Sequence, residues 1–137
     1  MSSDTGKFEP LPTPETEPFW QGCAEGELRL QRCGQCREFY FPPRPLCPRC
    51  WSDNVEWNAV SGRATLHSYV ISHRPAAGFD APYAIALVQL DEGPRMLSNI
   101  VEVDNVPEKL ILDMQLEVTF ETRGDMSIPQ FRPAGAR

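Results

Sequence analysis

Two Cys-x-x-Cys pairs ten residues apart, a series of short apolar segments rich in β-branched and aromatic residues, and 14 prolines in 137 residues predict a mainly β fold. The predicted order is a flexible tail at 1–14, a short helix with a rubredoxin-like zinc ribbon at 15–60, and a five-stranded OB-fold barrel at 61–134.

Residues 1–14 are polar, acidic and proline-rich, and bury too little apolar surface to offset the entropy of ordering. The next stretch, TPETEPFWQGCAEGEL, offers Thr13 or Thr16 as an N-cap and Glu15 and Glu17 at the positive end of a helix. Phe19, Trp20 and Cys23 give that helix an apolar side, and Gly26 can end it. Short extended pieces follow: LRLQR before the first cysteine pair, EFYF between the pairs and VEWNAV after the second. Prolines at 42, 43 and 45 stop any strand beyond Phe41. Beyond Ser61-Gly62 come RATLHSYVIS, YAIALVQLD, RMLSNIVEV, LEVTFETR and a short IPQFR. DEGP at 91–94 is a turn between two of these strands, so they form a hairpin. NVPEKLILDM at 105–114 reads as one helical turn or a tight loop. Five strands with one irregular insertion suit a small Greek-key barrel better than a seven-stranded sandwich.

Cys33, Cys36, Cys47 and Cys50 have the spacing of two knuckles that together present four thiolates to one tetrahedral ion. Zinc is the favoured ion, and a rubredoxin-like iron site uses the same ligands. Paired disulfides are the weaker alternative, since thiol exchange needs one such motif rather than two. A closed four-sulfur site has no open coordination position, so its role is structural. Cys23 lies outside the set and reads as a small apolar residue of the helix.

The formal charge of −6 is uneven: residues 28–57 hold five Arg and three acids, whereas 1–27 hold one Lys and six acids. Four thiolates and a divalent ion cancel the middle excess, which leaves no basic footprint for nucleic acid. No apolar run reaches the roughly 20 residues of a membrane-spanning helix, and no signal peptide is visible, so a cytoplasmic location without membrane contact is expected. His67 and His73 share one candidate strand, too far apart for a common metal. The common catalytic signatures are absent, and no residue is nominated as catalytic. Three function classes stay open: a single-stranded nucleic-acid module, a non-catalytic subunit of an enzyme complex, and an enzyme in its own right.

The sequence PFW, then LRLQRCGQCREFYFPPRPLCPRC, SGRATLHSYVISHRP, APYAIALVQLDEGPRMLSNIVEV and IPQFRP, resembles the acyl-CoA-associated family of zinc-ribbon plus OB-fold proteins known as domain of unknown function thirty-five. The resemblance runs from about Glu17 to Pro133 and is most specific in the four cysteines with FPPR between them and in LDEGPRMLSN. It implies an accessory subunit of a thiolase-like enzyme, such as a steroid side-chain aldolase, with catalytic residues on the partner and a heterotetramer as the assembly. A hot-dog-fold enoyl-CoA hydratase is the alternative partner. The substrate implied is an acyl-CoA thioester, and the metal ligands carried over are Cys33, Cys36, Cys47 and Cys50. Phe41, Pro42, Pro43 and Arg44 form a rigid projection suited to a partner, and Phe19 with Trp20 could pack there or internally. Arg44, Arg74 and Arg95 are candidates for the phosphates of CoA.

Overall fold

The computed structural model describes residues 7–134, so residues 1–6 of the tail predicted from sequence lie outside the described residues. Among the described residues there is one helix, α1 (Glu17–Ala24), and eight strands: β1 (Arg29–Cys33), β2 (Phe39–Tyr40), β3 (Val55–Ala59), β4 (Arg63–Ser72), β5 (Tyr83–Leu90), β6 (Arg95–Ser98), β7 (Gln115–Arg123) and β8 (Met126–Pro133).

Thr16 is the N-cap residue of α1, although its hydroxyl bonds back to Thr13 rather than into the helix. The helix stops in a Schellman motif, with the Gly26 N–H on the Cys23 carbonyl and the Glu27 N–H on that of Gly22. Gly26 has φ 76°, a left-handed conformation that glycine adopts without steric cost. Chain reversal there puts Leu28 and Leu30 under the helix, beside Phe19 and Cys23.

β1 is the centre of a three-stranded antiparallel sheet ordered β2-β1-β3. The second sheet is ordered β6-β5-β4-β7-β8, and it curls on itself. A bulge between Leu66 and Ser68 bends β4, which pairs with β5 along its length but with β7 through only three residues. A parallel bridge between Ile100 and Phe131 closes the barrel, with the Val101 N–H on the Phe131 carbonyl and the Phe131 N–H on that of Asn99. Antiparallel neighbours closed by one parallel contact between the segment just after the third strand and the fifth strand make the OB-fold barrel expected from the sequence. The 91–94 turn joins β5 and β6 as a hairpin. The 105–114 segment forms turns rather than a helix, with the Lys109 and Leu110 N–H groups both on the Val106 carbonyl and Leu110 buried in the core.

One apolar core serves both sheets. Phe19, Leu28 and Leu30 from the helix and ribbon join Leu66, Val88, Leu90, Leu116 and Phe131 from the barrel. Residues 7–13 lie outside helix and strand, and Lys7 pairs with Glu121 on β7 at 2.7 Å.

Gly62 marks the junction of ribbon and barrel. It has φ 77°, its carbonyl accepts the Val118 N–H at 2.8 Å, and a Cβ placed on it would overlap the Val118 side chain. Gly62→Ala should therefore cost about 2–4 kcal/mol from left-handed strain and overpacking together. Denaturant unfolding measures this directly, and a loss below about 0.5 kcal/mol would show that the junction yields freely.

Candidate metal centre

The two cysteine pairs fold into the same turn twice. In the first knuckle the Cys33 N–H bonds the Glu38 carbonyl at 3.1 Å and the Arg37 N–H bonds the Cys33 carbonyl at 2.8 Å. In the second the Cys47 N–H bonds the Ser52 carbonyl at 2.9 Å and the Trp51 N–H bonds the Cys47 carbonyl at 2.9 Å. The residue after each second cysteine takes the left-handed conformation, φ 65° at Arg37 and 64° at Trp51. This repeated geometry turns backbone N–H groups toward sulfur: Cys36 N–H to Cys33 Sγ and Arg49 N–H to Cys47 Sγ, each at 3.4 Å.

The knuckles face one another. Cys33 Sγ lies 3.5 Å from Cys50 Sγ, Cys36 Sγ lies 3.6 Å from Cys47 Sγ, and all four sulfurs fall within 4.8 Å of each other. Sulfurs at about 2.3 Å from a tetrahedral zinc are separated by about 3.8 Å, so the cluster has the right size. Their electrostatics also suit a cation. The Cys36 N–H holds the Cys33 thiol down at about 6. The Cys47 thiol is pushed up by burial, but the Cys50 and Arg49 N–H groups outweigh this and lower it. Cys36 is drawn down by the Glu38 N–H, yet burial and the three neighbouring sulfurs raise it to about 11. Four thiolates at this spacing repel one another, and a divalent ion removes that repulsion. The set is closed by protein sulfur, so it offers a substrate no ligand position. Among the described residues these cysteines are the one cluster with metal-ligating geometry; both histidines are exposed.

The segment between the knuckles is fixed from beneath. The Tyr40 hydroxyl donates to the Arg44 carbonyl at 2.9 Å, and the Arg44 N–H donates to the buried Gln31 Oε1 at 2.6 Å. Burial pushes the Tyr40 phenol up to about 12, so it remains a donor. Phe41 turns inward against Phe19, with ring centroids 5.5 Å apart, while Pro42 and Arg44 are exposed and Pro43 half-buried. Phe19 is not available to a partner: it is 4% exposed, packed edge-on against Trp20, and part of the core. Trp20 is half-buried beside it. Cys23 is buried in the same core, where desolvation raises its thiol to about 12 and leaves it unreactive.

The candidate phosphate contacts do not converge. Arg95 is exposed at the start of β6, opposite Gln89, which it bonds at 2.7 Å. Arg74 is exposed just past Ser72, which pairs with Tyr83 at the other end of β5. Six strand residues, about 20 Å, separate Tyr83 from Gln89, so one phosphate cannot meet both arginines.

The family model described as "ChsH2, rubredoxin-like zinc ribbon domain" matches residues 20–56, and that described as "ChsH2, C-terminal OB-fold domain" matches residues 57–121. A DUF35 domain-containing scaffold protein of Methanothermobacter thermautotrophicus is 36% identical over 110 residues, which cover 77% of this chain and 81% of that protein. The chain belongs to the DUF35 family. Its fold is that of the Ltp2-ChsH2(DUF35) aldolase structure, with a TM-score of 0.83, 29% identity, and coverage of 93% of this chain and 100% of that one. A probable enoyl-CoA hydratase alpha subunit of Thermomonospora curvata is 35% identical over 121 residues, 85% of this chain. The chain spans only 37% of that relative's length. Benzoylsuccinyl-CoA thiolase subunit BbsA of Thauera aromatica is 29% identical over 98 residues, 72% of this chain and 66% of that subunit.

Elemental analysis of this DUF35 chain should give about one zinc per molecule, as a four-thiolate site requires. Cys47→Ser should abolish that zinc and the amide protection of β2, and a metal-free chain with β2 still protected would refute a structural role. Trp51, 73% exposed and left-handed, is the opposite case. Trp51→Asn should leave zinc unchanged and raise stability by about 0.5–1 kcal/mol, because asparagine tolerates that conformation. A loss of stability would show that the indole is packed.

Proposed function

We propose that this chain is a non-catalytic, zinc-stabilised subunit of a thiolase-superfamily complex that makes or breaks a carbon-carbon bond in an acyl-CoA thioester. The observation that carries this reading is the likeness over 93% of this chain to the whole DUF35 chain of an aldolase named for two components. The metal site is closed, the buried thiol is inert, and the histidines stand apart on the surface. Such a chain contributes binding surface and substrate-channel wall while the partner performs chemistry.

On the ribbon, exposed Pro42 and Arg44, half-buried Pro43 and the accessible edge of Trp20 are the surfaces assigned to the partner. Pre-ordering of this loop by Tyr40 and Gln31 lowers the entropy cost of docking. Arg44 is the cation assigned to a CoA phosphate at that interface, with Arg74 and Arg95 serving separate anions. A two-plus-two assembly follows if the partner dimerises.

A second reading has one observation in its favour. The hydratase alpha subunit contains a segment like this chain within a longer protein. In that reading the partner is an enoyl-CoA hydratase component.

Co-expression with a thiolase-superfamily protein of the same organism should yield a complex that survives size exclusion and turns over a CoA thioester. The isolated chain should show no turnover. Activity of this chain alone would overturn the assignment, and association with an enoyl-CoA hydratase component instead would select the second reading.

A further inference from the structure

In an antiparallel barrel one face of each strand packs inward and the other meets water, so outward positions are ordinarily polar. The first three barrel strands depart from this rule. Val70, Ile85 and Leu97 are 62%, 39% and 68% exposed. Val70 is the cross-strand partner of Ile85, and Leu97 is that of Leu87, two residues further along the same face of β5. The side chains therefore make one patch across three strands. At one end it opens into a groove of about 390 Å³, where Ile85 and Leu97 meet Phe79, Tyr83 and the 86% exposed Phe8.

This face, bordered by the loops after the first and fourth barrel strands, is where an OB-fold takes extended ligands such as oligonucleotides. Its chemistry here does not suit a polyanion. Lys7 and Arg123, the cations at the groove, both pair with Glu121, at 2.7 and 2.5 Å. They also lie against the Phe79 ring, 4.3 and 5.6 Å from its centroid, and that ring is stacked on Tyr83. Both cations are thus held by one carboxylate within the chain, which leaves a single net positive charge, and the Phe79 ring is already covered. What remains open is apolar: the aliphatic Val70, Ile85 and Leu97, with Phe8 at the groove end.

We propose that the outer face of β4, β5 and β6 is the seat of the catalytic subunit inferred above, which docks an uncharged apolar strip onto Val70, Ile85 and Leu97. The inference rests on the two-component reading. Size favours that occupant over a second copy. Six residues of β5 across three strands make a patch of about 20 by 15 Å. Two such patches face to face bury on the order of 600 Å², below the roughly 1,200 Å² of a specific complex. A larger partner can take this patch as its apolar core and add the ribbon contacts.

The experiment uses the full chain with the thiolase-superfamily protein of the same organism that co-purifies with it. Leu97→Glu should weaken the complex by at least 100-fold in titration calorimetry, with zinc content and melting temperature unchanged. Val70→Ser/Leu97→Ser, which carries no charge, should weaken it about 10-fold and is the variant to read if Leu97→Glu lowers the melting temperature. Wild-type affinity in these variants would overturn the proposed face and leave the two-component reading standing. Absence of any such co-purifying protein would overturn both. Self-association of the wild-type chain that Leu97→Glu abolishes would assign the face to a second copy. Salt-sensitive binding of oligo-dT that Leu97→Glu abolishes would assign it to nucleic acid.

Discussion

Four thiols held within 4.8 Å of one another are the constraint on which the N-terminal half depends. The ribbon cannot supply an equivalent from apolar packing, because its own buried cluster is only Cys33, Tyr40 and Cys47. Two of the cluster's three members are therefore ligands, and the metal replaces a core that about 30 residues cannot build. The consequence reaches past the sulfurs. Cys33 ends β1 and thereby fixes Gln31, two residues earlier, whose amide oxygen holds Arg44; Cys47 holds the other end of the same loop. The exposed Pro42 and Arg44 owe their position to a site they do not touch.

A second constraint joins the halves. Leu28 and Leu30 of the ribbon sheet and Phe19 of the helix are buried with barrel residues, so ribbon and barrel share one core despite having separate sheets. Burying a side chain of this size contributes about 1.5–3 kcal/mol, and three of them make independent motion of the ribbon costly. Surfaces on the ribbon and on the barrel consequently keep a fixed spacing.

How far the sequence discloses this depends on the kind of signal. The cysteine spacing and the DEGP turn act through a few local bonds, and both stand where the sequence puts them. Each strand read from the sequence is present, although RMLSNIVEV, 95–103, keeps only Arg95–Ser98 as strand and an isolated bridge at Ile100. The 105–114 segment suits either one helical turn or a tight loop, and what the sequence does not show is the single turn closed on the Val106 carbonyl with Leu110 buried. Long-range placement was not legible. Nothing in PFW tells Phe19 from Trp20, and the inward turn of Phe41 depends on Phe19 meeting it. The exposed apolar face left a trace that could have been read: YAIALVQL is apolar at six consecutive positions where a half-solvated strand alternates.

That trace bears on how the two surfaces cooperate. β5 and β6 form one hairpin, whose turn at Glu92, Gly93 and Pro94 borders Phe39, Tyr40 and Phe41 of the ribbon loop. Its opposite end, at Ile85 and Leu97, borders the apolar groove. The hairpin therefore runs about 20 Å from one proposed contact to the other; its outward face is aliphatic at Ile85, Leu87 and Leu97 and polar at Gln89 and Arg95 before the turn. Had evolution of this chain been constrained by folding alone, polar residues at 70, 85 and 97 would have served the barrel equally well, since their side chains pack nothing inside it. Aliphatic residues there add aggregation risk and no core. A surface with that cost, on the hairpin whose turn borders the loop pre-ordered by the cysteine site, fits the docking role proposed above.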